Sequence, residues 1–220
     1  MSVRCLPVAA LVAAGLSLLS PLAHAAAVPA GGELDFTVLR DGEEIGTHVM
    51  RFDVGSDGSV DVDIETDIEV SMMFVTVYRF EHEGHEHWEN GRLFSLNSRT
   101  DDDGEDHDLV VTADASSIRV ADNGQSAERQ AGLLPASLWN DGIVAAPKTT
   151  LLNTLDGSAM DVTVTRVGDE EVEGVTGPVT ATHYVLAGDL SRELWYDPQG
   201  VLVKVRFSAE DGSNIEYVLR

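Results

Sequence analysis

The chain has 220 residues, with 38 acidic and 14 basic side chains and a formal net charge of −24. A surface that acidic repels nucleic acid and anionic lipid surfaces, so neither is an expected partner. The length allows one domain with a sizeable core, and a single cysteine, Cys5, excludes an internal disulfide framework.

Residues 1–25 read as a secretory leader. Arg4 supplies a short positive start, residues 6–19 an apolar run, and Ala23-His24-Ala25 an A-x-A cleavage pattern. The run is short for a transmembrane anchor. Cys5 precedes it, where a lipid-modified cysteine does not occur. Cleavage near Ala25 leaves one domain, residues 26–220, without cysteine or a transmembrane segment. Its expected location is the bacterial periplasm or the medium.

Strands follow from residue 34. Segments 34–40 and 45–54 flank the turn Asp41-Gly42-Glu43-Glu44, and Gly55-Ser56-Asp57-Gly58 turns the chain into its most regular stretch. There Val60, Val62, Ile64, Thr66, Ile68 and Val70 alternate with Asp61, Asp63, Glu65, Asp67 and Glu69. A period of two buries one face and wets the other. The alternation runs on through Tyr78 and Phe80 to Trp88. One strand of that length would span roughly 90 Å at ~3.3 Å per residue, so the chain must reverse, and the break is expected at residues 71–74.

A second reversal falls at Glu89-Asn90-Gly91-Arg92. A two-residue loop would pair even with odd positions and put Phe94 and Leu96 on the wet face. A three-residue loop with Gly91 left-handed pairs even with even, so burial favours it. This register places Tyr78, Phe80, His82, Glu86, Trp88, Phe94 and Leu96 inside, and Glu81, Glu83, His85, His87 and Glu89 outside.

Further strands are expected at 94–100, 109–112, 117–120, 160–167, 179–187, 192–196, 201–209 and 214–219, with 122–129 and 168–178 as loops. Pro135 can open a short helix near 135–140. Trp139 on this excursion either plugs a core end or lines a site.

The tail Gly188-Asp189-Leu190, Glu193-Leu194-Trp195-Tyr196-Asp197, Gly200-Val201-Leu202-Val203-Lys204 and Asp211-Gly212-Ser213-Asn214-Ile215-Glu216-Tyr217 is similar to secreted proteobacterial families of unknown function. So is Tyr78-Arg79-Phe80-Glu81-His82 with Glu86, Trp88 and Gly91-Arg92-Leu93. The resemblance implies an all-β fold, a strongly curved antiparallel sheet forming an incomplete barrel like the periplasmic lipoprotein carriers. It implies no reaction and no catalytic residue.

Chemistry-bearing patterns are few. His85 and His87 have the H-x-H spacing of a zinc or copper pair, with Glu81, Glu83 or Glu89 as a further ligand. Parity puts them on the wet face without a closed shell, so no metal or other cofactor is expected. His82 and Glu86, inside, must satisfy each other or a ligand. The acidic run 101–108 fails the calcium-loop pattern, with Arg99 and Val110 where acids are needed. No G-x-S-x-G, H-E-x-x-H or glycine-rich phosphate loop occurs.

The reading these features support is a non-catalytic binder of a hydrophobic or amphipathic small molecule, such as a lipid or acyl chain. Its inner face and mouth would be Met72, Met73, Phe74, Tyr78, Phe80, His82, Glu86, Trp88, Phe94 and Trp139. The alternatives are a metal-dependent or hydrolytic enzyme using residues 82–87, and a structural or protein-interaction domain with a filled core. Interior volume separates them.

Overall fold

The computed structural model describes residues 27–220; the expected leader and the Met72 side chain lie outside what is described. The first eight strands are β1 (Glu33–Arg40), β2 (Glu43–Val54), β3 (Val60–Met72), β4 (Val75–Glu89), β5 (Arg92–Asp102), β6 (Glu105–Ala113), β7 (Ser117–Asp122) and β8 (Gln125–Gln130). After them come β9 (Leu134–Pro135), a 3-10 turn (Asp141–Val144), β10 (Lys148–Leu152), β11 (Ala159–Gly174) and β12 (Gly177–Gly188). β13 (Arg192–Tyr196), β14 (Leu202–Ser208) and β15 (Asn214–Leu219) end the chain.

All of these strands belong to one sheet in the order β8-β7-β6-β5-β4-β3-β2-β1-β15-β14-β13-β12-β11-β10-β9. Strands consecutive in sequence are adjacent in the sheet except β8 and β9, and the last strand returns to the first, with Phe36 opposite Leu219. The pairs are antiparallel except the short β9–β10 pair, which is parallel. The result is an open barrel with free edges at β8 and β9. The loop between β10 and β11 spans from one side of this gap to the other. The Ser98 hydroxyl donates to the Thr154 carbonyl at 2.6 Å, and Arg129 Nε to the Gly157 carbonyl at 3.2 Å. A Cβ on Gly157 would fall 2.2 Å from Val120, so only glycine permits this close approach.

Alternation builds the strands as expected. In β3, Val62, Ile64, Ile68 and Val70 are buried, whereas the acids between them are half-buried or exposed. Five hairpins turn on residue pairs with positive φ at both positions: Asp41-Gly42, Met73-Phe74, Asn90-Gly91, Asp103-Gly104 and Asn123-Gly124. That backbone matches strand twist, and Asn or Asp followed by Gly tolerates it best. Met73-Phe74 does not fit the preference, yet it sits where the reversal was expected.

Four expectations change. The loop after β4 has two residues, with Glu89 opposite Arg92 and Trp88 opposite Leu93. A bulge then absorbs Phe94, and pairing resumes at His87–Ser95 and Glu86–Leu96, even with even. Parity beyond the bulge is as expected, so Leu96 is buried. Phe94 itself is 50% exposed, on the outer face of the sheet, and Leu93 takes the inner position. The helix near 135–140 is absent: Leu134 and Pro135 pair with β10, and the helical turn comes later, capped by Asn140 Oδ1 accepting from the Gly142 N–H. Segment 122–129 is not a loop but mostly edge strand β8, polar enough to discourage edge-to-edge pairing. Segment 168–178 is mostly strand too, extending the β11–β12 hairpin to Gly174 and Gly177.

Candidate functional site

The inner face holds two buried apolar clusters. The larger contains Phe36, Met50, Trp88, Leu96, Trp139, Leu151, Leu194 and their neighbours. The smaller gathers Val38, Ile68, Val70 and Ile215. A cavity of about 300 Å³ is lined by residues of β2, β3, β4 and β11, by β13, β14 and β15, and by the crossing segments around residues 136–138 and 153–155. Met50, Ile64, Phe80, Met160, Leu202, Val205 and Phe207 make its apolar wall.

The strands bring five polar side chains to it, His48, Thr66, His82, Arg192 and Tyr217, and the crossing segments add Ser137, Asn153 and Thr154. Each strand delivers its residue by alternation, since His48 shares a face with Met50, His82 with Phe80, and Arg192 with Leu194. His48 Nδ1 lies 2.7 Å from Thr66 Oγ1, and His82 Nδ1 lies 2.7 Å from Thr100 Oγ1. Burial pushes His48 down to about 3, with a smaller contribution from the His82 charge, and His82 down to about 4. Both imidazoles are therefore neutral at pH 7. The Arg192 guanidinium lies 3.8 Å from the centre of the Phe207 ring. Phe207 and Tyr217 are 6.1 Å apart and Tyr217 and His48 5.2 Å apart, centre to centre. Burial raises the Tyr217 hydroxyl above its ordinary value, so it is a neutral donor.

Glu86 is 0% exposed and lies next to the cavity wall. It accepts from Trp88 Nε1 at 2.8 Å and Trp139 Nε1 at 2.9 Å, both on Oε2. The Ser137 hydroxyl faces the same carboxylate without completing a hydrogen bond. Burial raises the Glu86 carboxyl above the usual range, against these neighbours. Trp139 is 1% exposed and packs edge-on against Trp88 and Phe52, at 5.3 and 5.2 Å. It is the plug of a core. His82 and Glu86 do not satisfy each other: one takes Thr100 and the other the two indoles.

The other expected site residues disperse. Phe80 and His82 do line the cavity. Tyr78 is half-buried beside the smaller cluster and donates to Asp102 at 2.9 Å. Met73 and Phe74 stand at a hairpin tip, 89% and 106% exposed, and do not line the cavity. Phe94 is outside, edge-on to His87 at 5.8 Å. His85 and His87 point outward as expected, and each takes an aspartate of β3: Asp63 at 2.7 Å and Asp61 at 2.6 Å. Among the described residues, no group of three or more His, Cys, Asp or Glu side chains is arranged to hold a metal ion.

A recess of about 380 Å³ on the outer face is lined by His183, Trp195, Lys204 and Arg206. Its cations are already paired, Arg206 with Glu193 at 2.7 Å and Lys204 with Glu216 at 3.4 Å. The interior cavity differs, because its arginine has no carboxylate partner among the described residues. Sequence reasoning missed His48, Arg192 and Tyr217. Parity alone could have found His48, two residues before Met50 on a strand already recognised.

These features define a class: β-barrel-like proteins made of one curved, unclosed antiparallel sheet. The architecture is similar to the crystal structure of a beta-barrel-like protein of domain of unknown function DUF1849 from Brucella abortus. The TM-score is 0.64 at 11% identity, over 86% of this chain and 95% of that one, a likeness of fold alone. The chain belongs to the DUF6134 family, a domain of unknown function whose model matches residues 36–220. No curated protein shows significant sequence similarity to it.

Proposed function

We propose that the protein binds a hydrophobic or amphipathic small molecule inside the barrel, without catalysis. The observation that carries this is the cavity of about 300 Å³, apolar on most sides with a few convergent polar groups, the usual make-up of a ligand site. Its volume is at the lower end of the roughly 300–1,000 Å³ range of such sites. A single acyl chain suits it better than a two-chain lipid. The enzymatic alternative draws no support from residues 82–87, because His82 faces inward while His85 and His87 face outward onto aspartates. A wholly filled core is disfavoured by the cavity itself.

Native mass spectrometry of protein purified without detergent tests the reading. The expected result is a retained small molecule, or saturable uptake of a fluorescent acyl probe that Ala136→Phe blocks by filling the cavity. A folded protein that retains nothing and takes up no probe overturns it.

We further propose that residues 1–25 export the chain to the periplasm or medium. The composition of that segment supports this. An N-terminal mass showing cleavage near Ala25 after expression is the expected result, and an intact cytoplasmic chain the contrary one.

A further inference from the structure

Arg192 has an unusual position. Its guanidinium lines the cavity and stacks on Phe207 at 3.8 Å. Its one protein hydrogen bond is from Nη1 to the Ser191 carbonyl at 2.8 Å, and no carboxylate pairs with it among the described residues. The chain carries 38 acidic side chains against 14 basic ones, so an arginine without an acidic partner is not for want of acids. Most other arginines of the described segment have one, as Arg40, Arg51, Arg79, Arg166, Arg206 and Arg220 do. Arg192 is half-buried, and a cation drawn partly out of water gains from a counter-charge or hydrogen bonds in place of the hydration it loses. Burial depresses Arg192 below its ordinary value, in keeping with that want of a partner.

The polar groups nearest it, His48 and Tyr217, are neutral. The Tyr217 hydroxyl makes no hydrogen bond to protein among the described residues, and its ring lies between those of Phe207 and His48. His48 uses only Nδ1, toward Thr66, which leaves Nε2 without a protein partner. No Asp or Glu lines the cavity. One fixed positive charge therefore shares with neutral polar side chains, Tyr217 and His48 among them, a chamber whose remaining wall is mostly apolar.

We infer that Arg192 is the anchor for the head group of a singly charged acid whose apolar tail occupies the cavity: the ligand is a small single-chain carboxylic acid. Arginine presents a planar fork of donors that matches a carboxylate. Tyr217 is placed to donate to the same head group. A doubly charged phosphate monoester would exceed the one available cation. The cavity volume suits one chain better than two. This inference rests on the binding function proposed above and specifies its ligand.

The test is calorimetric titration of the purified protein at pH 7 with octanoate, octanol and octyl phosphate, molecules that share a chain and differ in head group. Octanoate is expected to bind at least tenfold more tightly than octanol and more tightly than octyl phosphate. Arg192→Gln should erase the preference for octanoate over octanol, Arg192→Lys should keep part of it, and Tyr217→Phe should reduce it. Circular dichroism reports whether each variant is folded, and the comparison of ligands on the unaltered protein needs no variant. Equal binding of octanoate and octanol overturns the anchor while leaving the cavity as a binding site. Tighter binding of octyl phosphate overturns the assignment to a carboxylic acid. Binding of none of the three removes both this inference and the function on which it rests.

Discussion

Trp139 reaches Glu86 from 53 residues away in the chain and donates its indole N–H to Oε2 at 2.9 Å. Trp88 donates to the same oxygen, so one buried carboxylate holds two indoles in place. Glu86→Ala would leave both donors buried without an acceptor, a loss of about 1–3 kcal/mol for each. Glu86→Gln keeps an acceptor and should be far milder. Urea unfolding checks this, and an alanine variant as stable as the parent would show that the tryptophans find other partners. The carboxyl also carries a pH signature. Its folded value is raised by burial, so between the ordinary carboxyl value and the raised one the folded state holds more protons than the unfolded. Glu86 therefore subtracts stability as pH rises through that window. Glu86→Gln removes the effect, and its stability relative to the parent should improve from pH 4 to pH 7.

The two histidines of the cavity wall act in the opposite direction. His48 is pushed down to about 3 and His82 to about 4, each from an unperturbed value of 6.5. Below about pH 6.5 the unfolded chain binds protons that the folded chain refuses, so stability is complete above that pH and falls as acid is added. The slope is about 1.4 kcal/mol per pH unit for each histidine inside its window. His48→Gln with His82→Gln should flatten the decline between pH 6.5 and pH 4. An unchanged slope in the double variant would place the acid sensitivity elsewhere.

Much of the frame is legible in the sequence because alternation is a repeated local signal. Val62, Ile64, Ile68 and Val70 declare a face, and His82 and Glu86 inherit theirs from it. Two of the missed residues depend on pairing across long separations. Arg192 and Tyr217 meet His48 only because the last strand returns to the first, and no local pattern near residue 192 announces that closure. Phe94 fails for a different reason. A two-residue turn followed by a bulge and a three-residue loop give the same parity from Leu96 onward. They differ only at residues 93 and 94.

That difference can be measured. Leu93 is buried opposite Trp88, whereas Phe94 projects outward against His87. Leu93→Ala should cost about 2 kcal/mol or more, as truncations of buried leucines do. Phe94→Ala should stay within roughly 0.5–1 kcal/mol, the loss of an exposed edge contact. Chemical unfolding of the two variants decides it, and a reversed order would restore Phe94 to the interior.

The turn at Met73-Phe74 has the backbone of the four Asn-Gly and Asp-Gly turns without their residues. Met73 and Phe74 have φ of 48° and 68°. A left-handed conformation costs an ordinary L-residue about 1–2 kcal/mol, through the closeness of Cβ to the carbonyl oxygen. Burial does not compensate, because both side chains project into solvent. Replacing the pair with Asn-Gly should therefore raise stability by about 1 kcal/mol or more, with some of the gain offset by the greater freedom of glycine in the unfolded chain. The tip does not line the cavity, so uptake of an acyl probe should be unchanged in that variant and in Met73→Asp. Thermal unfolding and probe titration on the same samples check both parts. Loss of uptake without loss of stability would make the tip part of the ligand's path, and destabilisation by Asn-Gly would mean that these two side chains have a packing role.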